Sequence, residues 1–403
     1  MAGRVGDWRR RLGLERRAGA LAAGLFVYGF GEELWSRYMP EYLRVLGASA
    51  LAVGLFGTLK DLLDAAYAYP GGAISDRLGT RRALLLFGGL STAGFVLYLS
   101  FPSVLTVFLG LLLVMGWQSL GLPATFALIG EELEGSRRIV GFTVQAVLKR
   151  VPIVLAPPLG GLLLEKWGVR NGMRAGFAVS VVLATAMLLA LARGLRSSSP
   201  KGAAVRPSAR GKERLAPALR QLLIADCLIR FCEGMPEVFL VIWSIEIVKI
   251  SPSRFGLLTS ILMATAIVSY VPAAILAERA EKKWFVLLTY LFFSLFPLAV
   301  FFSRSFPALM GAFAIGGLRE IGEPARKALI VDLSDPATRG RTVGLYYAIR
   351  GFAVAGAAAV GGALWTFDPG LTFLVASGLG FLGTVWATLF LRTGIASSTP
   401  GEP

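Results

Sequence analysis

Glu32 lies about 13 residues into a long apolar stretch, so at about 1.5 Å per helical residue it sits about 20 Å from the start of that stretch, past its middle. A carboxylate at that depth can take a proton from one side and release it to the other as its hydration changes. Glu233 occupies the equivalent level of a second stretch. Asp61 and Glu320 complete the proton-coupling candidates, because each is left over when neighbours are paired one helical turn apart. Lys60 would pair with Asp64, Arg319 with Glu323, and Glu323 with Lys327. Facing these acids are two cations, Lys149 and Arg350, each about 15 Å from the same end of its own stretch. Two such groups could grip an anionic ligand, Arg as a bidentate fork and Lys as a point charge, with Arg150 as an alternative to Lys149. Glu33, Gln118 and Gln145 are further polar candidates for ligand contact. The competing reading is mutual neutralisation, with Glu32 or Glu233 against Arg37 or Arg230, and Lys149 and Arg350 against Asp61 or Asp64 and Glu320 or Glu323.

Other chemistries drop out. The chain contains no histidine, which excludes histidine metal sites, histidine-assisted nucleophiles and histidine proton relays. The two cysteines, Cys227 and Cys232, point about 140° apart on a helix and read as reduced, packed thiols. No Gly-x-x-x-x-Gly-Lys-Ser/Thr loop is present to cradle ATP. No metal and no cofactor are expected. The net charge of +16 does not read as nucleic-acid binding, because the basic residues lack aromatic interleaving and sit in short breaks between apolar runs.

These groups must be positioned by helices in a bilayer. Of 403 residues, 55% are hydrophobic and 16% charged, and the mean hydropathy is +0.66. The chain divides into about twelve apolar stretches, each able to cross about 30 Å of hydrocarbon as helix. The expectation is an all-α polytopic membrane protein with spans near 19–40, 49–73, 82–101, 103–130, 139–164, 174–193, 218–246, 253–277, 284–303, 306–331, 341–366 and 369–392. Arginines and lysines crowd alternate breaks: Arg9 to Arg11, Arg81 and Arg82, Arg137 and Arg138, the run from Arg196 to Arg214, Lys282 and Lys283, Arg326 and Lys327, and Arg339 and Arg341. The opposite breaks hold fewer, among them Arg44, Lys166, Arg170 and Lys249. The positive-inside rule then places both termini in the cytoplasm of a multi-pass cell (inner) membrane protein. The basic start precedes a full-length span without a small-residue cleavage site, so it reads as span 1 rather than a removed leader. The domains expected are a cytoplasmic segment 1–18, a six-helix bundle 19–193, a flexible cytoplasmic linker 194–216 rich in Ser, Pro, Gly and Arg, a second bundle 217–393 and a cytoplasmic tail 394–403.

The halves repeat at an offset of about 201. Pro123 to Ile129 returns as Pro324 to Ile330, Glu131 and Arg138 as Asp332 and Arg339, Phe30 and Glu32 as Phe231 and Glu233, and Gly160-Gly161 as Gly361-Gly362. Pro70, Asp76 and Arg77 return one residue later as Pro272, Glu278 and Arg279. Both copies start on the same side, so they are parallel repeats. Spans 3, 6, 9 and 12 carry no charge in their apolar cores and are expected to face lipid, leaving the others around a central polar cavity. Trp35, Tyr42, Trp243, Trp284 and Trp365 fall near span ends and read as interfacial anchors.

Between spans 2 and 3, the sequence Gly72-Ala73-Ile74-Ser75-Asp76-Arg77-Leu78-Gly79-Thr80-Arg81-Arg82 resembles the signature loop of the major facilitator superfamily, with Thr80 where a basic residue is usual. Twelve spans, the linker and the degenerate second copy at Glu278, Arg279, Lys282 and Lys283 extend the resemblance over nearly the whole chain. It implies two bundles rocking about a midplane site. It also implies a cytoplasmic latch of Gly72, Asp76, Arg77, Gly79, Arg81, Glu131 and Arg138, copied in Glu278, Arg279, Asp332 and Arg339. Ala156-Pro157-Pro158-Leu159-Gly160-Gly161 in span 5 resembles the Gly-Pro-x-x-Gly-Gly element of antiporters in this superfamily, although Pro and paired Gly also serve kinking and close packing. The subfamily is not identified. The function implied is secondary transport of a small organic solute, driven by a proton or another ion. Proton-linked efflux leads, and uptake or exchange of an organic anion at Lys149 and Arg350 is the alternative. Every loop except the linker is too short for a catalytic domain, so no enzymatic activity is expected. The charge-free faces need only lipid, so a monomer is expected.

Overall fold

A chain in hydrocarbon must satisfy its backbone internally, and each apolar stretch here folds as helix. The computed structural model describes residues 16–120, 136–194, 215–279, 281–334 and 339–391, and among these no strand occurs. Span 1 runs as Arg16–Glu33, breaks at Leu34–Trp35 and resumes as Met39–Val45. Spans 2 and 3 are Ala50–Leu78 and Thr80–Ser100, separated by Gly79 at φ 78°, a conformation glycine adopts without strain. Span 4 begins as Val104–Met115. Spans 5 and 6 follow one another through Ser136–Gly194, broken at Gly168 with φ 74° and ψ 161°. The second half supplies Pro217–Glu237, Pro252–Arg279, Lys282–Phe302, Phe306–Gly317 with Glu323–Asp332, Arg339–Val354 with Ala357–Phe367, and Pro369–Phe390. Six helices among the described residues are long and apolar enough to cross a membrane. Most of the other spans are interrupted near their charged residues. Residues 1–15, most of the linker, and the tail beyond 391 lie outside the described residues.

The two bundles meet at the end remote from the 72–82 loop, and they meet backbone to backbone. A Cβ on Gly256 would collide with the Pro157 carbonyl, and one on Gly54 with the Ala358 carbonyl. These are the same contact in the two halves. Gly161 likewise abuts the Pro252 carbonyl, as Gly362 abuts that of Ala50, while Gly160 and Gly361 press on the carbonyls of Leu34 and Met235 within their own bundles. The paired glycines of span 5 are therefore packing sites. Pro158 leaves the Val154 carbonyl without its helical donor, and Ser260 of span 8 donates to it at 2.5 Å. The Tyr38 hydroxyl lies 2.7 Å from the Pro157 carbonyl and 3.0 Å from that of Pro252, tying spans 1, 5 and 8.

The aromatic residues near span ends depart from the anchor expectation. Trp35, Tyr42, Trp243 and Trp365 are buried, and Trp284 alone of the five is exposed. The break at Leu34–Trp35 turns the indole inward, where it donates to Ser180 at 2.9 Å and packs edge-on against Phe95, Tyr98 and Phe177. Trp243 and Trp365 join Phe239 and Phe373 in the corresponding cluster of the other half. Burial of apolar ring surface against other rings outweighs the interfacial preference here.

Gly256→Val should lower the melting temperature and hold the bundles apart at this end, since overpacking against a carbonyl costs about 1–3 kcal/mol. Distances between spin labels at Lys166 and Lys249 measure it; an unchanged distribution would show that backbone contact does not set the closure.

Candidate functional site: ion pairs between the helices

The second bundle contains a continuous ion network. Span 7 contributes Asp226, Arg230 and Glu233 at spacings of four and three, one face of a helix. Span 10 opens at Leu318–Glu320 into a single tight turn before Glu323–Asp332 begins. That interruption turns Arg319 away from Glu323 and toward span 7, where Glu233 accepts at 3.4 Å. The expected one-turn Arg319–Glu323 pair is thus replaced because the helix is not continuous there, whereas Lys327–Glu323 forms at 3.4 Å. The Arg319 guanidinium also covers the rings of Phe293 and Phe296 at 4.9 and 4.7 Å, a favourable cation–π placement.

Arg326 corrects the sequence reading most. Counted there among the basic flanks, it is 1% exposed. Its Nε and Nη2 fork onto Glu323 at 3.0 and 2.7 Å, and its Nη1 donates to Asp226 Oδ2 at 2.7 Å. Asp226, fully buried, was missed altogether. It also accepts from the Tyr346 hydroxyl at 3.0 Å and from Arg350 Nη1 at 3.3 Å. Arg350 therefore meets Asp226 and not Glu320 or Glu323. Glu320 instead lies 3.8 Å from Arg150 of the other bundle, so it is not the unpartnered member of span 10. Glu233 is held by Arg230 at 2.7 Å as well as by Arg319.

The first bundle repeats this geometry with milder chemistry. Gln118, the counterpart of Arg319, donates its amide to Glu32, the counterpart of Glu233. Arg37 pairs with Glu33 at 3.1 Å. Asp64 accepts from Ser119 at 2.6 Å and makes no ion pair with Lys60, which instead interacts electrostatically with Glu237 of the facing bundle and with adjacent Asp61. The side chains of Lys149 and Gln145 lie outside the described residues, as do those of Asp76, Arg138, Glu278, Arg279 and Arg339, and Glu131 altogether. Of the remaining loop groups, Arg77 is exposed, Arg81 donates to the Ala192 carbonyl at 2.5 Å, and Asp332 pairs with Lys282 at 2.6 Å.

At the closed end, Arg44 lies 3.6 Å from Glu246 across the bundles, and Ser253 donates to Glu165. Glu41, in the short Met39–Val45 helix just past the expected end of span 1 at 40, is buried beside them. Burial, and then the charge of Glu246, push its carboxyl up to about 7 against the pull of Arg44.

The Major Facilitator Superfamily model matches residues 21–247 and 222–402, and the chain belongs to that family. An uncharacterized MFS-type transporter of Methanocaldococcus jannaschii is 21% identical over 89% of this chain and 90% of its own length. Sugar efflux transporter A of Escherichia coli is 29% identical over 64% and 65%. Multidrug resistance protein MdtH of Sodalis glossinidius is 27% identical over 82% and 80%. Among solved structures, a POT family transporter in complex with 5-aminolevulinic acid superposes with TM-score 0.74 at 14% identity, covering 93% of this chain and 95% of that one. The nucleoside transporter NupG superposes with TM-score 0.76 at 11% identity, covering 93% and 100%. The protein is a multi-pass membrane transporter of the secondary type, built as two pseudo-symmetric six-helix bundles.

Two outcomes follow. Arg326→Met should destabilise the protein by about 3–5 kcal/mol by leaving buried carboxylates uncompensated, read as a lowered melting temperature, and an unchanged one would show that the buried pair adds nothing. The closed end binds one proton more than an open end between the ordinary carboxyl value of 4.5 and about 7. Closure should therefore weaken as pH rises through that window and level off above it, and Glu41→Gln should abolish the dependence; spin labels at Lys166 and Lys249 report both.

Proposed function

We propose that the protein exports a small organic solute across the cell membrane by alternating access, in exchange for protons. In this reading both termini and the 194–216 linker are cytoplasmic, the bundles are 19–193 and 217–393, and the closed end is the outer one. The latch residues around Asp76 and Arg77, with their copies, hold the cytoplasmic side shut in the opposite state. Outward direction is supported by two relatives, one named for sugar efflux and the other for multidrug resistance.

The observation that carries the proton reading is the Gln118–Glu32 contact. A side-chain amide has both donors and an acceptor, so it can hydrogen-bond a carboxylate or a carboxylic acid equally. Glu32 is 7% exposed and can change protonation without losing this partner. The two guanidiniums on Glu233 offer only donors, so its protonated form would forfeit both contacts. In this reading Glu32 is the coupling carboxylate and Glu233 a structural one, with Asp61 a second coupling candidate near Lys60 and Glu237.

A second reading, uptake or exchange of an organic anion at Lys149 and Arg350, is favoured by the position of Arg350, whose side chain remains 21% exposed.

In proteoliposomes holding a pH-sensitive dye, a panel of cationic, neutral and anionic solutes should evoke proton movement with the natural protein. Glu32→Gln should reduce it to background while solute–solute exchange persists. Proton movement undiminished in Glu32→Gln would remove that carboxylate from the coupling mechanism.

A further inference from the structure

Counting charges in the second bundle's network gives an unequal result. Its carboxylates are Asp226, Glu233 and Glu323, and its guanidiniums are Arg230, Arg319, Arg326 and Arg350. Lys327, which also reaches Glu323, is 57% exposed and is solvated. Among the described residues, three of the arginines balance the three acids and one guanidinium is in surplus within the membrane, where an uncompensated charge is costly.

Contact geometry identifies the surplus group. Glu233 has Arg230 and Arg319, Glu323 has Arg326 and Arg230, and Asp226 has Arg326 at 2.7 Å, all without Arg350. Arg350 makes one ion contact, with Asp226 Oδ2 at 3.3 Å. That oxygen already accepts from Arg326 and Tyr346, while Oδ1 of the same carboxylate is buried with no hydrogen-bond partner. Arg350 is therefore the third and most distant donor on a crowded oxygen. Its guanidinium lies over the Tyr347 ring at 4.6 Å, which covers one face and leaves the N–H edge as the group's means of binding. Removing Arg350 from Asp226 leaves the remaining network neutral.

We propose that Arg350 is the binding site for the carboxylate of an organic anion, and that Asp226 is a positioning residue that holds this guanidinium until the ligand displaces it. This deepens the anion-handling reading above and rests on it. The incoming carboxylate accepts two N–H donors from Arg350 in place of the single long contact to Asp226. Asp226 keeps Arg326 and Tyr346, so no buried acid is left unpaired. A neutral ligand of the same shape gains nothing at this position.

The test reads Arg350 directly. The full-length protein in lipid nanodiscs is treated with phenylglyoxal, an arginine-selective reagent, and modification of each arginine is followed by mass spectrometry. Benzoate should slow modification of Arg350 several-fold in a saturable manner, benzamide should not, and Arg326 should stay unmodified throughout. Asp226→Asn, which removes the competing charge, should lower the benzoate concentration needed for protection several-fold. Tyr346→Phe leaves Asp226 more dependent on Arg350 and should raise that concentration. The second variant keeps the competition testable if the first does not fold. Arg350 modification that proceeds equally with benzoate and benzamide would overturn the proposal, as would protection identical in the natural protein and both variants. Failure of the transport reading looks different: no member of the solute panel would cross proteoliposomes, while benzoate protection of Arg350 remained intact.

Discussion

Arg326 is a guanidinium with almost no solvent, and much of the second bundle is arranged around that constraint. Such a group needs its donors satisfied from within the protein. One side is met by Glu323 on its own helix, through a fork that requires the helix to restart at Glu323. The other side is met by Asp226 of span 7, which fixes how closely spans 7 and 10 approach. Asp226 then needs more donors than Arg326 provides, and span 11 supplies Tyr346 and Arg350 from one face at a spacing of four. Buried ion pairs are often no more stabilising than apolar residues of equal volume. Their presence here argues for a requirement other than stability, namely charged groups available at mid-membrane.

The contact between bundles obeys the opposite rule. Much of it is glycine against carbonyl, at Gly54, Gly161, Gly256 and Gly362, with the Tyr38 side chain reaching the Pro252 carbonyl and the Phe255 ring across the seam. Close backbone approach gives dispersion contact, and the polar additions, Arg44 with Glu246, Ser253 with Glu165 and Arg150 with Glu320, are partly exposed. Internally cross-linked bundles joined largely by backbone contact suit the rocking motion proposed above.

Much of this was legible from sequence, because the constraints were periodic. Charge in the breaks, apolar spans and the repeat of Gly160-Gly161 as Gly361-Gly362 follow from bilayer thickness and helix packing. The signature loop was legible as a motif, although several of its side chains lie beyond the described residues. What escaped were residues whose role depends on a break in a helix. Arg319 was assigned to Glu323 by counting one turn, a rule that fails where span 10 opens at 318–322. The buried indoles read as anchors in the sequence because the break at Leu34–Trp35 has no strong sequence signal. Asp226 escaped because its counterpart in the repeat is Leu25, so comparison of halves drew no attention to it.

That failure points to how the two halves divide their work. Backbone contacts are copied faithfully between them, but polar positions are not: Leu25 faces Asp226 in the repeat, Thr125 faces Arg326, Gln118 faces Arg319, and Gln145 faces Tyr346. Glu32 and Glu233 keep an acid, and Lys149 and Arg350 a cation, at equivalent positions of the two halves. Where the second half sets the Arg319 guanidinium against Glu233, the first sets the Gln118 amide against Glu32, a partner that can bond either protonation state. Symmetric scaffolds with unlike polar interiors let the motion be shared while the chemistry is not. A proton handled in the first bundle and an anion in the second would be linked through the rocking of the two bodies, with no direct contact between the groups that bind them.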